Sequence, residues 1–376
     1  MSIDIRLKKY ISIGQFIKRF NKYNLQDIGY GYDNCIYLLF REDVSPKCDD
    51  AIYKIIVIDN DQHKIIESSR IKANYDFIRP IDKNEYLLIS HDTHRIDPEL
   101  FDDIQDDELT NNNYIFRKAG CLLQRARSEN SEMTHRYFVD DGIDVTYAQP
   151  NAIILNHSGD VINKFLLGGA IFDVATTDKN NIWISYYTSE PAPYDDSEGL
   201  IGMGKLRKWD KSGYSLFRHE DNVILDCSDI NVIEDDDIWV LPYIYADHIL
   251  LNYHKGSIKY FEFPEIKKQY SSYGYVFLFK DIIGTTCYNR SNNDRNILIF
   301  RVVGENLFHI GTVNLYEQKS TKKDKVNYFW PISCRHSKFI FRFKYNLYIF
   351  DLRNINALLK SSLDSPIQIN LLLIED

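Results

Sequence analysis

The chain has 376 residues, a formal net charge of −9 and 44% hydrophobic residues. Length alone suggests about two or three ordinary domains, and the hydrophobic content is ample for a core. The acidic balance disfavours a general nucleic-acid-binding protein, because such proteins usually carry a basic charge. The sequence contains no run of about 20 apolar residues, so it predicts no membrane span.

The first 25 residues form a basic segment with helix-like spacing of Ile13, Phe16, Ile17 and Phe20. We consider two interpretations: a short helix or strand packed on the domain, or a basic amphipathic helix that contacts a membrane or a partner. Polar and charged residues interrupt the apolar ones, which is unlike the continuous apolar stretch of a signal peptide. The sequence therefore predicts a cytoplasmic protein.

Six cysteines are spread along the chain without a C-x-x-C pair, which disfavours a zinc ribbon or a redox motif. Buried free thiols in a reducing compartment are the simpler expectation. The six are Cys35, Cys48, Cys121, Cys227, Cys287 and Cys334.

From residue 27 onward, short apolar runs alternate with turn residues, a pattern typical of antiparallel strands. A loop with Asp or Asn repeatedly leads into an apolar strand, at 34–40, 84–90, 180–187, 236–243, 281–288 and 337–343. We take the following residues of these strands as equivalent anchors: Tyr37, Leu87, Trp183, Trp239, Ile283 and Ile340. Most anchor spacings match the roughly 40–50 residues of a propeller blade. The sequence thus predicts one all-β domain over 1–376, a β-propeller of about six blades of four-stranded antiparallel sheets.

The spacing from Leu87 to Trp183 is nearly double and has two explanations. One is a seventh, degenerate blade within 92–150, and the other is a long acidic insertion, 93–150, inside the second blade. We favour the insertion, because 97–108 contains seven carboxylates and no cation. Such a segment suits a solvated loop or a short surface helix better than a blade strand.

Ring closure of a propeller requires a strand that removes an exposed sheet edge. Two segments are candidates for pairing with the last or the first blade. They are the isolated strand 367–374 and the N-terminal segment 2–7.

Four phrases carry a family resemblance. They are NAIILNHSGDVINKFLLG (151–168), DVATTDKNNIWISYY (173–187), DCSDINVIEDDDIWVLPYIY (226–245) and FIFRFKYNLYIFDL (339–352). With them the chain resembles uncharacterised bacterial β-propeller-like proteins, and more loosely NHL-type and WD-repeat propellers. The resemblance implies the fold and supplies no activity. The chain departs from it at 186–199 and in the acidic insertion.

No specific catalytic motif is present, and we predict no metal and no cofactor. The stretch 199–205 lacks the spacing and the hydroxyl of a P-loop. His91 and His94 flank Asp92, but an H-x-x-H at a strand exit does not aim both rings at one ion. Asp226, Cys227 and Asp229 fit a buried cysteine beside a turn better than a nucleophile.

Equivalent strands would bring the residues that follow their anchors to one rim of the propeller. This rim is rich in Tyr and Arg, which are common at binding surfaces. The predicted binding residues are Arg41, Glu42, His91, Asp92, Tyr186, Tyr187, Glu190, Tyr243, Tyr245, Tyr288, Arg290 and Arg342.

These observations favour a non-enzymatic binding or scaffold propeller, monomeric, that presents the rim to a protein partner. The alternative is a propeller hydrolase or lyase with a channel-end, metal-assisted site built from His91, Asp92, Glu190 and Asp226. A third interpretation has the basic N-terminal segment act on an anionic membrane or on nucleic acid, although nucleic acid is disfavoured by the net charge.

Overall fold

The structure is a computed structural model of the chain. The residues that it describes are 2–7, 9–43, 50–59, 62–72, 74–91, 95–96, 115–118, 123–127, 133–137, 145–148, 150–168, 171–186, 194–195, 199–200, 206–219, 226–243, 249–264, 270–289, 295–317, 330–343 and 345–355. The fold is all-β, with six sheets of four antiparallel strands that form a six-bladed β-propeller, as the sequence predicts. The chain divides into two compact units, 22–227 and 1–21 together with 228–376.

The N-terminal segment contains two strands and one short helix, β1 (Ser2–Leu7), β2 (Lys9–Ser12) and α1 (Gly14–Arg19). Ile13, Phe16 and Phe20 are buried. The apolar side of α1 is therefore packed inside its own unit, which supports the first of the two interpretations. Lys18 and Arg19 occupy the last turn, where positive charge complements the helix dipole.

The unit 22–227 contains the first three sheets. The first consists of β3 (Tyr23–Tyr30), β4 (Ile36–Glu42), β5 (Asp50–Asp59) and β6 (Gln62–Lys72). The second begins with β7 (Phe77–Asp82) and β8 (Glu85–Ile89). Five short strands follow: β9 (Arg95–Ile96), β10 (Ile115–Lys118), β11 (Leu123–Arg127), β12 (Met133–Tyr137) and β13 (Val145–Ala148). The second sheet is completed by β14 (Ala152–Leu155) and β15 (Val161–Phe165).

The third sheet consists of β16 (Ile171–Thr176), β17 (Ile182–Tyr186), β20 (Leu206–Trp209) and β21 (Ser215–Arg218). In chain order, β18 (Tyr194–Asp195) and β19 (Gly199–Leu200) come between β17 and β20. The pair β18 and β19 forms a separate small sheet.

The predicted insertion is confirmed. β8 pairs directly with β14, with Ile89 opposite Ala152, although some 60 residues separate the two strands. The strands β9–β13 form a sheet of their own, in the order β11-β12-β10-β13-β9. The described part of the insertion therefore pairs with itself. The acidic segment 97–108 lies outside the described residues.

The second unit contains the remaining sheets. The fourth sheet consists of β22 (Asp226–Glu234), β23 (Asp237–Tyr243), β24 (Ile249–His254) and β25 (Ser257–Glu262). The fifth consists of β26 (Tyr270–Phe279), β27 (Ile282–Asn289), β28 (Arg295–Val303) and β29 (Asn306–Glu317). The sixth consists of β30 (Trp330–Arg335), β31 (Lys338–Phe343) and β32 (Asn346–Asp351), followed by a helical turn at 352–355.

The N-terminal strands complete two different sheets of this unit. β2 pairs antiparallel with β32 and supplies the fourth strand of the sixth sheet. β1 pairs parallel with β29 as an additional strand of the fifth sheet. The expectation that 2–7 would close the last or the first blade is thus corrected, because 9–12 closes the last one. The other candidate, 367–374, lies outside the described residues.

A recurring turn explains the Asp- or Asn-led strands of the sequence. Between the first and second strands of five sheets, one non-glycine residue has a positive φ; the five are Asn34, Asn84, Asn180, Lys280 and His336. Asn tolerates this conformation better than most residues. Three residues later come four of the anchors, Tyr37, Leu87, Trp183 and Ile283. In the sixth sheet the corresponding residue is Phe339, so the anchor at Ile340 is shifted by one.

The second strand of each sheet is the strand that the sequence pattern detects, and it is not the innermost one. β4, β8 and β17 are buried along most of their length, because neighbouring sheets cover both faces. In contrast, the first strands β3, β7 and β16 contact one another across sheets. In this unit the first strands, and not the anchor strands, are therefore the innermost ones.

In the described part of the chain, no helix is long and apolar enough to cross a membrane.

Candidate functional site

The first strands of the unit 22–227 are joined by a buried arginine. Arg79 on β7 forms an ion pair with Asp27 on β3 at 2.7 Å, and a longer one with Asp173 on β16 at 3.4 Å. Its Nε donates to the carbonyl of Val174 at 2.7 Å, and Asp27 also accepts from the backbone N–H of Ile78 at 2.9 Å. One side chain therefore fixes three consecutive sheets where their first strands meet.

The second unit repeats part of this arrangement without the arginine. Asp229 on β22 accepts from the backbone N–H of Val276 at 2.7 Å, as Asp27 does from Ile78. Two residues on, Asn231 donates to the carbonyl of Val276 at 2.9 Å. These buried polar groups hold first strands together, so their role is architectural.

The predicted binding residues lie at or just after the ends of the second strands. Side chains are described for Arg41, Glu42, His91, Tyr186 and Arg342. Tyr243 and Tyr288 end or nearly end their strands, but their side chains are outside the description. The remaining candidates lie outside the described residues: Asp92, Tyr187, Glu190, Tyr245 and Arg290. The predicted rim thus stays a prediction as a whole.

Arg41 lies at the end of the core between the first and second sheets. It is directly opposite Tyr53 on β5, and Leu39 and Tyr53 belong to the apolar cluster between these sheets. The Arg41 side chain is partly buried, and its Nε has no hydrogen-bond partner. Arg41 also shares a side-chain hydrogen bond with Tyr53, which lowers the pKa of the Tyr53 hydroxyl.

Tyr53 is the aromatic neighbour of this arginine. Its hydroxyl accepts from the backbone N–H of Tyr75 at 3.0 Å. Burial raises the pKa of Tyr53, while the positive charge of Arg41 lowers it. The charge of Asp76 raises the same pKa, which places Asp76 in the electrostatic environment of this hydroxyl.

Asp76 connects this neighbourhood to His91. The backbone N–H of His91 donates to the Asp76 carboxylate at 2.8 Å, and the N–H of Asp76 donates to the carbonyl of Ile89 at 2.8 Å. His91 Nδ1 contacts the carbonyl of Ile171, which fixes the proton on Nδ1 when the ring is neutral. We name Arg41, Tyr53, Tyr75, Asp76 and His91 the Arg41 cluster.

Glu42 has a different role from its neighbour. Its carboxylate forms an ion pair with Arg70 at 3.2 Å and accepts from the backbone N–H of Ile52 at 3.3 Å. The structure therefore satisfies Glu42 within the first sheet.

Tyr186 is a correction to the predicted rim. Its side chain has no exposed surface, and its hydroxyl donates to the carbonyl of Leu167 at 2.5 Å and accepts from Trp209 Nε1 at 3.1 Å. Tyr186 belongs to the apolar core between the second and third sheets. A position at the end of a strand does not imply exposure, because the next sheet covers this face.

Arg342 lies near the end of β31 in the second unit, opposite Trp330 and Leu347. Its side chain is partly buried.

The residues considered for metal binding or nucleophilic chemistry are largely outside the description. Of the H-x-x-H motif only His91 is described, and the described residues contain no group of three potential metal ligands. Cys35, Cys287 and Cys334 are buried free thiols. Burial raises the pKa of Cys35 to about 12, which disfavours a reactive thiolate.

Sequence reasoning missed Tyr53, Tyr75 and Asp76. Tyr53 lies within a long apolar strand, and 74–76 lies in a connection between sheets, so neither follows an anchor. Only the pairing register of β4 with β5, which places Tyr53 opposite Arg41, could have pointed to Tyr53. That register depends on the length of the connection between the two strands.

No family model and no curated protein matches the chain. The solved structures that resemble it include an ACO/RPE65 chimera (9% identity, TM-score 0.38, 77% of this chain and 64% of that one). They also include cobalt-substituted Synechocystis ACO (9%, 0.36, 77% and 63%) and a Trypanosoma rangeli sialidase in complex with the inhibitor DANA (9%, 0.34, 91% and 57%). The chain spans less than two thirds of each of these proteins. At these TM-scores the similarities support no assignment of activity, and the resemblance to bacterial, NHL-type or WD-repeat propellers stays a prediction.

Proposed function

We propose that this propeller is a non-enzymatic binding protein that presents the ends of its second strands to a protein partner. The observation that carries the proposal is the Arg41 cluster, in which ordered polar side chains from two consecutive sheets meet at such strand ends. Loops held by a rigid scaffold are the usual location of recognition residues. The connections that leave these ends include the large insertion in the second blade.

The test compares substitutions at the ends of the second strands with substitutions on the outer strands. A triple variant, Tyr187→Ala with Tyr243→Ala and Arg290→Ala, is compared with a control triple of exposed outer-strand residues, Lys64→Ala with Lys164→Ala and Lys259→Ala. A partner is first isolated with the wild-type protein and purified, and its affinity for each variant is then measured by titration.

We expect the first triple variant to lose at least about tenfold in affinity at an unchanged melting temperature, as hot-spot residues do. The control triple variant should bind like the wild type. Equal affinity of both triple variants and the wild type would contradict the proposal.

A propeller hydrolase or lyase is the second candidate, favoured by one observation. The contact of His91 Nδ1 with Ile171 places the lone pair of the neutral ring on Nε2, a tautomer that general bases and metal ligands use. Metal analysis of the purified protein tests the metal-assisted version. Less than about 0.1 equivalent of bound metal per chain would count against it.

A further inference from the structure

We propose that the outer edge of β29 is a strand-addition site, which binds an extended, amphipathic segment of a protein partner and which β1 occupies in the unbound protein. Recognition of this kind combines main-chain hydrogen bonds along a sheet edge with contacts from every second residue of the added strand. The edge of β29 is a different surface from the ends of the second strands, so the inference goes beyond the proposed function.

β1 is a strand that the fifth blade does not need. The strands β26 to β29 already form its four antiparallel strands, and β2 supplies the fourth strand of the sixth sheet. In the described part of the chain, the first four blades consist of four strands each, without an additional one on the outside. β1 also runs parallel to β29, and parallel pairing is slightly less stable per residue than antiparallel pairing. Removal of β1 therefore leaves a four-stranded blade like the others.

A bulge divides the outer strand of the fifth blade into two halves. The register with β28 shifts between Ile299 and Phe300, which leaves Ile310 as the extra residue of β29. Bulges interrupt the pairing ladder, and they are one means by which proteins prevent strand addition at an edge. β1 pairs only beyond the bulge, along 312–317. The regular half of the edge is thus the part that accepts an added strand.

The sequence and the register of β1 define the kind of segment that fits this edge. Apolar residues alternate with polar ones along β1, at Ile3, Ile5 and Leu7, as in a strand with one apolar face. Ile3 lies opposite Val313 in the parallel register. Val313 is buried at 1% exposure in the apolar cluster between the fifth and sixth sheets. A partner segment of similar length and alternation would place apolar residues at the same register positions.

The short link between β1 and β2 favours a partner protein over a second copy of this chain. Only Lys8 separates the two strands, and β2 is paired with β32 in the sixth sheet. One extended residue spans about 3.5 Å, so β1 stays close to its own sixth sheet. It cannot exchange into the fifth sheet of another copy unless β2 also leaves β32. A segment of a different protein carries no such tether.

The experiment locks β1 onto β29 in the full-length protein. Asp4 and Asn314 are partners across the two strands, which lie about 4.8 Å apart, so Asp4→Cys with Asn314→Cys can form a disulfide. The matched control joins β2 to β32 through Ser12→Cys with Asn346→Cys. The probe is a fluorescent peptide with the sequence of β1, and fluorescence anisotropy measures its binding. A peptide of the same composition, with its three apolar residues side by side, is the negative probe.

We expect the oxidised variant with cysteines at 4 and 314 to bind the probe at least about tenfold more weakly than the wild type, because a covalently held β1 cannot leave the edge. Reduction should restore the affinity of the wild type, the oxidised control should bind like the wild type, and the negative probe should bind to none of these proteins. Equal binding to the oxidised and reduced variants would overturn the inference, since the probe would then bind elsewhere. A loss of binding in the oxidised control would also overturn it, because β1 would then leave only together with β2.

Deletion of residues 2–7 provides the complementary measurement. The deletion uncovers the edge and retains β2, so the affinity for the probe should rise at least about tenfold, because an intramolecular strand competes at a high effective concentration. If the shortened chain does not fold, the two oxidation states of the cysteine variant decide the question. A folded shortened chain that does not bind the probe would overturn the inference. Self-association without probe binding would assign the edge to a second copy of the chain.

Discussion

At the scale of single residues, Arg79 and Arg41 are two arginines of the same unit that differ in burial and in partners. Arg79 is 4% exposed and shares its guanidinium among two carboxylates and two backbone carbonyls. Arg41 is partly buried and forms a side-chain hydrogen bond with Tyr53 of its own sheet. Sequence position alone does not distinguish them, because both lie in strands with apolar neighbours. The difference comes from their partners, since those of Arg79 belong to other sheets.

Replacement of Arg79 should destabilise the protein strongly. Arg79→Met leaves Asp27 and Asp173 without their cation, and loss of one partner of a buried ion pair typically costs about 3–5 kcal/mol. The free energy of unfolding from urea titration measures the change.

Arg353→Met is the control for Arg79→Met, because it removes an exposed pair with Asp351 and should cost less than about 1 kcal/mol. A similar, small effect of both substitutions would show that Arg79 does not hold the three first strands together.

At the scale of elements, two types of turn recur among the blades. The turn between the first and second strands has a positive-φ residue, most often Asn, and the turn between the third and fourth strands has a positive-φ glycine in four sheets. These glycines are Gly159, Gly213, Gly256 and Gly304. The conformation of these turn residues fixes where the following strand begins. The strands of the blades could therefore be recognised from the sequence.

A comparison of two of these glycines distinguishes the effect of backbone strain from that of steric contact. Gly213 and Gly256 have nearly equal φ angles of +81° and +84°, but an added Cβ would lie 2.8 Å from Phe165 only at Gly213. Gly256→Ala should therefore cost about 1–2 kcal/mol from the left-handed conformation. Gly213→Ala should cost about 2–5 kcal/mol, because overpacking adds to that strain.

Chemical denaturation of the two glycine variants, measured side by side, gives this difference. Equal losses of stability would mean that Phe165 moves away at little cost.

At the scale of the whole molecule, closure depends on the N-terminal strands. β2 covers the edge of β32 in the sixth sheet, and β1 covers part of the edge of β29 in the fifth. Uncovered edges expose unpaired backbone groups and invite association with other chains. An N-terminal segment of about ten residues thus adds one strand each to two sheets whose other strands lie in the C-terminal part of the chain.

Deletion of residues 2–12 should selectively destabilise the fifth and sixth sheets. We expect hydrogen exchange to accelerate most in β29 and β32, because these strands lose their edge partners, and we expect self-association at raised concentration. The strands of the unit 22–227 serve as the internal reference. Equal acceleration in all sheets, or none in β29 and β32, would contradict this role of the N-terminal segment.

The blades could be predicted from the sequence because their signals are local. Asn precedes Leu87 and Trp183 because the turn requires a positive φ, which Asn tolerates. The strand that follows is continuously apolar because it is buried on both faces. The insertion was also predictable, since its acidic composition contrasts with the blade strands. Its internal sheet was not, because short polar strands carry little periodic signal.

The candidate site needed the tertiary structure. Arg41 and His91 were chosen from their position after an anchor, but Tyr53, Tyr75 and Asp76 follow no such rule, and Tyr186 follows the rule yet is buried.

The sequence by itself determined an all-β chain of six blades with an insertion in the second, because turn conformation and strand burial are written within a few neighbouring residues. Only the tertiary structure decided which polar groups meet. Arg79 reaches Asp27 across 52 positions and Asp173 across 94, whereas Arg41 reaches Tyr53 on the neighbouring strand of its own sheet. Contacts of this kind depend on how the sheets pack and on the register of their strands. No local pattern encodes that information.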